Sequence, residues 1–110
     1  MNNFLIQSAK RALDNQIPKS LISASIELKI IHRKCLGLLK IGAKKEIQWL
    51  CVFDETATED HIEFASIAGT EIIADFNNEY GINEMFEKIN PNQKPRELKS
   101  LIYTRRNIKF

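Results

Sequence analysis

The sequence predicts a single domain that combines α-helices with β-strands. The chain has 110 residues, the usual length of one domain, and its 44% apolar and 27% charged residues are ordinary for a globular protein. Two segments, near residues 3–14 and 57–76, have the apolar periodicity of helices, whereas other segments alternate between apolar and polar residues as strands do. Residues 1–110 are therefore expected to fold around one core.

The first two predicted elements are a helix and a strand. In residues 3–14 apolar side chains recur at helical spacing behind Asn2 or Asn3 as a cap, and Pro18 ends the pattern. In residues 23–31 apolar and polar side chains alternate, which is typical of a strand with one buried face.

A more apolar strand is predicted over residues 47–53. Both faces of this run are largely apolar, which indicates a central strand of the sheet. Residues 33–45, which precede it, fit either a further strand or an extended hairpin.

A long helix is predicted over residues 57–76. The segment from Thr56 to Glu59 fits a capping box at its start. One narrow face carries the expected core residues Ile62, Ala65, Gly69, Ile72, Ile73 and Phe76. Because Gly69 weakens a helix, we expect it to allow close packing on the sheet.

The opposite face of this helix places two apolar residues among acids. Its members recur one helical turn apart and are Asp60, Phe64, Ile67, Glu71 and Asp75. A helix that is apolar on two sides is either covered by a second layer, here the first helix, or docks a partner.

The last elements are less regular. In residues 82–89 the apolar spacing favours a short helix, which would end before Pro91. Residues 100–106 resemble a strand with Leu101, Tyr103 and Arg105 on one side.

Charge is divided among three blocks of the sequence. Residues 1–53 carry nine Lys/Arg and three Asp/Glu, residues 54–87 carry ten Asp/Glu and no Lys/Arg, and residues 88–110 carry seven Lys/Arg and one Glu. The acidic block would repel nucleic acid and attract a basic protein. Alternatively, its acids pair with the two basic blocks once the chain folds.

No sequence motif for catalysis, metal binding or a membrane span is visible. The chain has no Gly-rich phosphate loop, no His-Glu-x-x-His and no nucleophile elbow. We expect surface or packing roles for His32 and His61, and reduced thiols at Cys35 and Cys51. Because no secretory signal or long apolar run is visible, we expect a cytoplasmic protein.

Several runs of residues carry a resemblance to a known family. Asp54-Glu-Thr-Ala-Thr-Glu-Asp60 and Thr70-Glu-Ile-Ile-Ala-Asp-Phe76, with Ala65-Ser66 between them, resemble immunity proteins of contact-dependent growth inhibition systems, the CdiI type. The resemblance extends from about Ala12 to Arg106.

The resemblance implies an α+β fold, in which an N-terminal helix and a long central helix pack on an antiparallel sheet. The resemblance also implies that residues 82–89 form a strand. We adopt this prediction in place of the helix, because a helical pattern over only eight residues is weak evidence. Residues 33–45 are longer and more basic than the hairpin of that family.

The leading hypothesis is a cytoplasmic immunity protein, not an enzyme, that neutralises the C-terminal toxin domain of a secreted effector, such as a nuclease. It would need no cofactor or metal and has no catalytic residues. The expected partner-binding residues are Asp60, Phe64, Ile67, Glu71 and Asp75. The alternative is a small nucleic-acid-associated regulatory protein that uses Lys44, Lys45, Arg105 and Arg106.

Overall fold

A computed structural model describes residues 3–13, 17–34, 41–76, 79–90 and 92–105, with the backbone alone in residues 31–34 and 41–44. The described residues form two helices and four strands, which confirms the α+β class. In chain order they are α1 (Asn3–Ala12), β1 (Leu21–Lys34), β2 (Ile41–Phe53), α2 (Glu59–Ala74), β3 (Tyr80–Lys88) and β4 (Ser100–Thr104).

The four strands form one sheet in the order β3-β2-β1-β4. β1 runs antiparallel to both β2 and β4, as the resemblance implied. β3, however, runs parallel to β2, so the sheet is mixed. The reason is that α2 carries the chain from the end of β2 back to the start of β3, and such a crossover joins parallel strands.

Residues 82–89 contribute to strand β3, and their apolar spacing explains why a helix also fitted. Ile82 and Phe86 lie beside Ile47 and Cys51 of β2 and pack on the core. Residues four apart share one side of a strand as well as one face of a helix, so this pair does not distinguish the two structures.

Residues 33–34 and 41–45 extend the antiparallel pair of β1 and β2, so the described part of this segment matches the extended hairpin of the two structures left open by the sequence. β1 and β2 remain paired as far as Lys34 and Ile41, and residues 35–40 lie outside the described part of the chain. Among the described residues, β4 pairs with β1 only at residues 23–26 and β3 with β2 only at 45–53. Residues 27–34 and 41–44, the hairpin arm, therefore extend beyond the rest of the sheet, in a molecule of 52 × 26 × 26 Å.

Both helices pack on the same face of the sheet, around Trp49. The Trp49 side chain is fully buried, and its indole N–H donates to the carbonyl of Ala65 in α2 at 3.1 Å. At Gly69, one turn later, a Cβ would lie 3.2 Å from Trp49 Cδ1 and 3.0 Å from Glu84 Cδ. The expected close packing at Gly69 is confirmed.

The predicted core stripe of α2 is confirmed along its length. Ala65, Gly69 and Ile72 are buried. The three remaining predicted residues are half-buried and pack against the core: Ile62, Ile73 and Phe76.

The other face of the sheet is covered by the connection from β3 to β4. Leu50 is fully buried there, and its neighbours on the adjacent strands are Ser25 and Met85. Residues 92–99 contact both neighbours: the Leu98 amide donates to Ser25 Oγ at 2.9 Å, and an Arg96 nitrogen lies 3.7 Å from Met85 Sδ. This connection therefore closes the face that carries no helix.

The predicted alternation in β4 is wrong. The pairing of β1 with β4 shifts register between Ala24 and Ser25. As a result Ile102 and Tyr103 both pack against the core, whereas Leu101 is 43% exposed.

Glu84 places a carboxylate on the helix-covered face of the sheet. It lies opposite Trp49 in the pairing of β2 with β3, and its Oε2 is buried with no hydrogen-bond donor among the described residues. Burial raises the pKa of Glu84, although a hydrogen bond from Ser66 acts in the opposite direction. The charged form of Glu84 therefore destabilises the folded state.

Replacing Glu84 by Gln should stabilise the protein at neutral pH by roughly 1 kcal/mol, because it removes a poorly solvated charge. The pKa of Glu84 is higher in the folded chain, so protonation favours folding. That contribution is complete below the unfolded value of about 4.3 and is lost as the pH rises through the folded value. Urea unfolding should show a gain at pH 7 that shrinks toward pH 4, and no gain for the exposed control Glu97→Gln. A Glu84→Gln variant that is less stable at pH 7 would contradict the assignment.

Candidate partner-binding surface

The start of α2 is fixed by Thr58 and His61. The His61 amide donates to Thr58 Oγ1 at 3.4 Å, and the Thr58 amide donates to His61 Nδ1 at 3.3 Å. The predicted capping box at Thr56 and Glu59 is wrong, because the amide and hydroxyl of Thr56 both donate to Asp54 Oδ1. His61 thus has a structural role, as expected.

One face of α2 is exposed over the full length of the helix. Its residues recur every three or four positions, with Thr70 and Glu71 side by side, and form the outer stripe: Asp60, Glu63, Ile67, Thr70, Glu71 and Ala74. Ile67 is 53% exposed, in the middle of this stripe. The stripe is therefore acidic at both ends and apolar at its centre.

The acids of the outer stripe form no salt bridges with the cations that the structure describes. α2 contains no Lys or Arg, so no ion pair forms along the helix. Within the described part of the chain, no basic side chain makes a salt bridge with Asp60, Glu63 or Glu71. The exposed first-turn residue Glu59 likewise has none, and the helix dipole favours its charge.

The five residues expected to bind a partner do not all lie on one exposed surface. Asp60, Ile67 and Glu71 lie in the outer stripe. Phe64 is half-buried and packs against the core, so it is not a free anchor. Asp75 is exposed, but its Oδ2 accepts a hydrogen bond from Ser8 Oγ of α1 at 2.6 Å.

Sequence reasoning missed Glu63, which lies three residues from Asp60 on the exposed face. Helical spacing shows which residues share a face of α2. It does not show on which side of that face α1 packs, and so it could not show that Glu63 remains exposed. Of the two alternatives left open by the sequence, cover by α1 is wrong for Ile67, which is 53% exposed.

Some acids of residues 54–87 form salt bridges with the two basic blocks. The alternative interpretation of the acidic block, in which its acids pair within the folded chain, therefore holds for these residues. The salt bridges of the described residues are Arg11–Asp75, Arg96–Glu87 and Arg105–Asp54. Each of them joins the acidic block to a basic flank. The acids that these three salt bridges of the described residues do not include are, among others, those of the outer stripe.

The pair between Arg105 and Asp54 ties the last strand to the end of β2. Burial would raise the pKa of Asp54, but hydrogen bonds from Thr56 and Arg105 outweigh it and hold that pKa below its usual value. The Arg105 guanidinium lies 2.8 Å from Asp54 Oδ2 and also donates to the Lys19 carbonyl. Arg105 is therefore engaged within the fold.

No described feature supports catalysis or metal binding. The described residues contain no group of three or more His, Cys, Asp or Glu side chains that could hold a metal ion. Cys51 is a free, buried thiol, and burial raises its pKa far above the usual range, so it is no nucleophile. Cys35 lies outside the described residues. No described helix is long and apolar enough to cross a membrane.

Substitutions on the two faces of α2 should differ strongly in their effect on stability. Ile72→Ala should lower the free energy of unfolding by about 2–5 kcal/mol, because Ile72 is fully buried. Ile67→Asp should change it by less than about 0.5 kcal/mol, because the side chain is exposed. Chemical unfolding measures both. An Ile67→Asp variant as unstable as Ile72→Ala would show that the outer stripe is buried.

Comparison with known families identifies the chain. A family described as MafI2 immunity protein matches residues 38–107, more than half of the sequence and all of α2, β3 and β4. No curated protein matches it. The expectation of an immunity protein family is confirmed, although the matching family is not described as the CdiI type. The chain therefore belongs to the MafI2 immunity protein family, and its function is to neutralise a toxin.

Proposed function

We propose that this protein neutralises its toxin by binding it directly through the outer stripe of α2. The toxin is the C-terminal domain, a nuclease, of a contact-dependent growth inhibition effector, and binding takes place in the cytoplasm of the producing cell. The observation that carries the proposal is the row of acids on α2 that have no salt-bridge partner among the described residues, with the exposed side chain of Ile67 at its centre.

The composition of the stripe suits a protein partner. An exposed apolar residue inside a polar rim is the usual pattern of a protein interface, where the apolar residue anchors and the rim excludes water. Asp60, Glu63 and Glu71 provide negative charge on both sides of Ile67. These carboxylates attract a basic surface and can form charge-assisted hydrogen bonds with Lys and Arg.

A nuclease offers the complementary surface. Its substrate is a polyanion, so its binding channel carries Lys and Arg. An acidic helix that occupies this channel excludes the nucleic acid sterically and by charge. Neutralisation of this kind needs no cofactor and no reaction by the immunity protein.

The stripe is held in place before binding. α2 is capped at Thr58, and the Trp49 hydrogen bond to Ala65 anchors it to the sheet. A preorganised surface loses little conformational entropy on association, which favours tight binding.

The alternative of nucleic-acid binding has less support. Arg105 is paired with Asp54, and the Lys45 ammonium lies 5.2 Å from the centre of the Tyr80 ring. Arg106 and the side chain of Lys44 lie outside the described parts of the structure. Two of the four basic residues named for this role are thus engaged within the fold.

Association with the toxin should depend on both the charges and the apolar centre of the stripe. The double variant Asp60→Asn/Glu63→Gln should lower the association rate several-fold at low salt, and the difference should shrink near 1 M salt, where screening acts over about 3 Å. Ile67→Asp should raise the dissociation rate at least tenfold, because it removes the anchor. Stopped-flow or surface-based kinetics with the purified cognate toxin domain would measure both rates.

Glu97→Gln is the matched control, since Glu97 is exposed in the connection from β3 to β4 and lies outside α2. Kinetics that are the same for the control and for both stripe variants would exclude the stripe as the interface. A wild-type protein that does not bind the toxin domain at all would overturn the proposed function itself.

A further inference from the structure

An open cleft lies between α1 and α2, next to the outer stripe. Its volume is about 380 Å³, enough for a long side chain from another molecule. Three residues of each helix region line it: Ser8, Arg11 and Ala12 from α1, and Glu71, Ala74 and Asp75 from α2 and its C-cap.

The Asp75 carboxylate is held in a fixed orientation at this cleft. Ser8, which is 1% exposed, donates to Asp75 Oδ2 at 2.6 Å. Arg11 approaches the same oxygen, at 3.4 Å. Among the described residues no side-chain donor meets Oδ1, so this oxygen can accept a further hydrogen bond.

The pair between Arg11 and Asp75 shows that a guanidinium group can bind at the cleft. Its guanidinium pairs with Asp75 at a long distance of 3.4 Å, and the Arg11 side chain is 67% exposed. An exposed pair of this kind contributes little to stability. The guanidinium can therefore move into solvent when a better-placed cation enters, at small cost.

The remaining residues leave room for the cation and balance its charge. Ala12 and Ala74 are short, and they offer methyl groups on which the aliphatic part of a long side chain can pack. Glu71 and Asp75 lie one helical turn apart and, with Arg11, give the lining residues a net negative charge. A planar guanidinium can donate to two carboxylates at once, which an ammonium does less well.

We infer that the cleft between α1 and α2 binds an arginine side chain of the toxin, between Glu71 and Asp75. The inference deepens the proposed function and rests on it, because Glu71 belongs to both the outer stripe and the cleft. A toxin docked on the stripe would therefore place its arginine within two helical turns of Ile67. The cleft would bind one particular arginine side chain, whereas the acids of the stripe would attract any basic surface.

The first test uses a blocked tripeptide, acetyl-Gly-Arg-Gly-amide, with the citrulline peptide as the neutral control of equal shape. In ¹⁵N NMR titrations the arginine peptide should give saturable shifts at the amides of Ala12, Ala74 and Asp75, and the citrulline peptide should not. Glu71→Gln should weaken the arginine peptide several-fold, whereas Glu63→Gln, outside the cleft, should have little effect. Equal shifts with both peptides, or shifts spread evenly over the acidic residues, would overturn the inference.

The second test fills the cleft. Ala74 is exposed, so Ala74→Leu should fold normally, and it should weaken binding of the toxin domain at least tenfold by occupying the space for the arginine. Thr104→Leu, at an exposed position of β4, is the control for added apolar volume. If wild type binds the toxin and Ala74→Leu binds it equally well, the cleft inference is wrong and the proposed function stands. If wild type does not bind the toxin, the proposed function fails, and the peptide titration alone decides whether the cleft takes a guanidinium.

Discussion

The hydrogen bond from the Trp49 indole to the Ala65 carbonyl determines how α2 lies on the sheet. A buried indole N–H must find an acceptor, and here the acceptor is a backbone carbonyl of α2, 3.1 Å from the indole nitrogen. Gly69 permits the close approach, since a side chain there would meet Trp49 and Glu84. These contacts fix the rotation of α2 about its axis. The residues on the opposite side of the helix must then face solvent.

The position of α1 determines which part of the outward side of α2 remains exposed to solvent. It packs beside the C-terminal half of α2, where Ser8 binds Asp75 and the Phe4 ring lies 5.2 Å from that of Phe76. This flank of α2 is thereby engaged, while the flank with Glu63 and Ile67 stays open. The same arrangement creates the cleft at Glu71. The packing of α1 beside α2 thus leaves an acidic stripe with an exposed apolar centre and creates the adjoining site for a cation.

Much of this organisation could be predicted from local periodicity. The inward face of α2 and the central position of β2 follow from the spacing of their apolar residues, because burial imposes that spacing. The outward positions of Asp60, Ile67 and Glu71 follow in the same way. The half-burial of Phe64 and the pairing of Asp75 could not be predicted, because both depend on tertiary packing. Ser8, which donates to Asp75, lies 67 positions away in the sequence. The parallel direction of β3 and the pair between Arg105 and Asp54 are likewise long-range, and the cap at Thr58 depends on competition from Asp54 for Thr56.

The most direct measurement compares two exposed isoleucines when the toxin domain binds. Ile67 of α2 and Ile30 of the hairpin arm are 53% and 58% exposed, so their methyl groups meet solvent to a similar extent in the free protein. Methyl NMR with a soluble gadolinium chelate reports that contact as relaxation enhancement. In the complex, Ile67 should lose most of its enhancement, while Ile30 should keep it. Loss at Ile30 with Ile67 unchanged would place the toxin on the arm and contradict binding through α2.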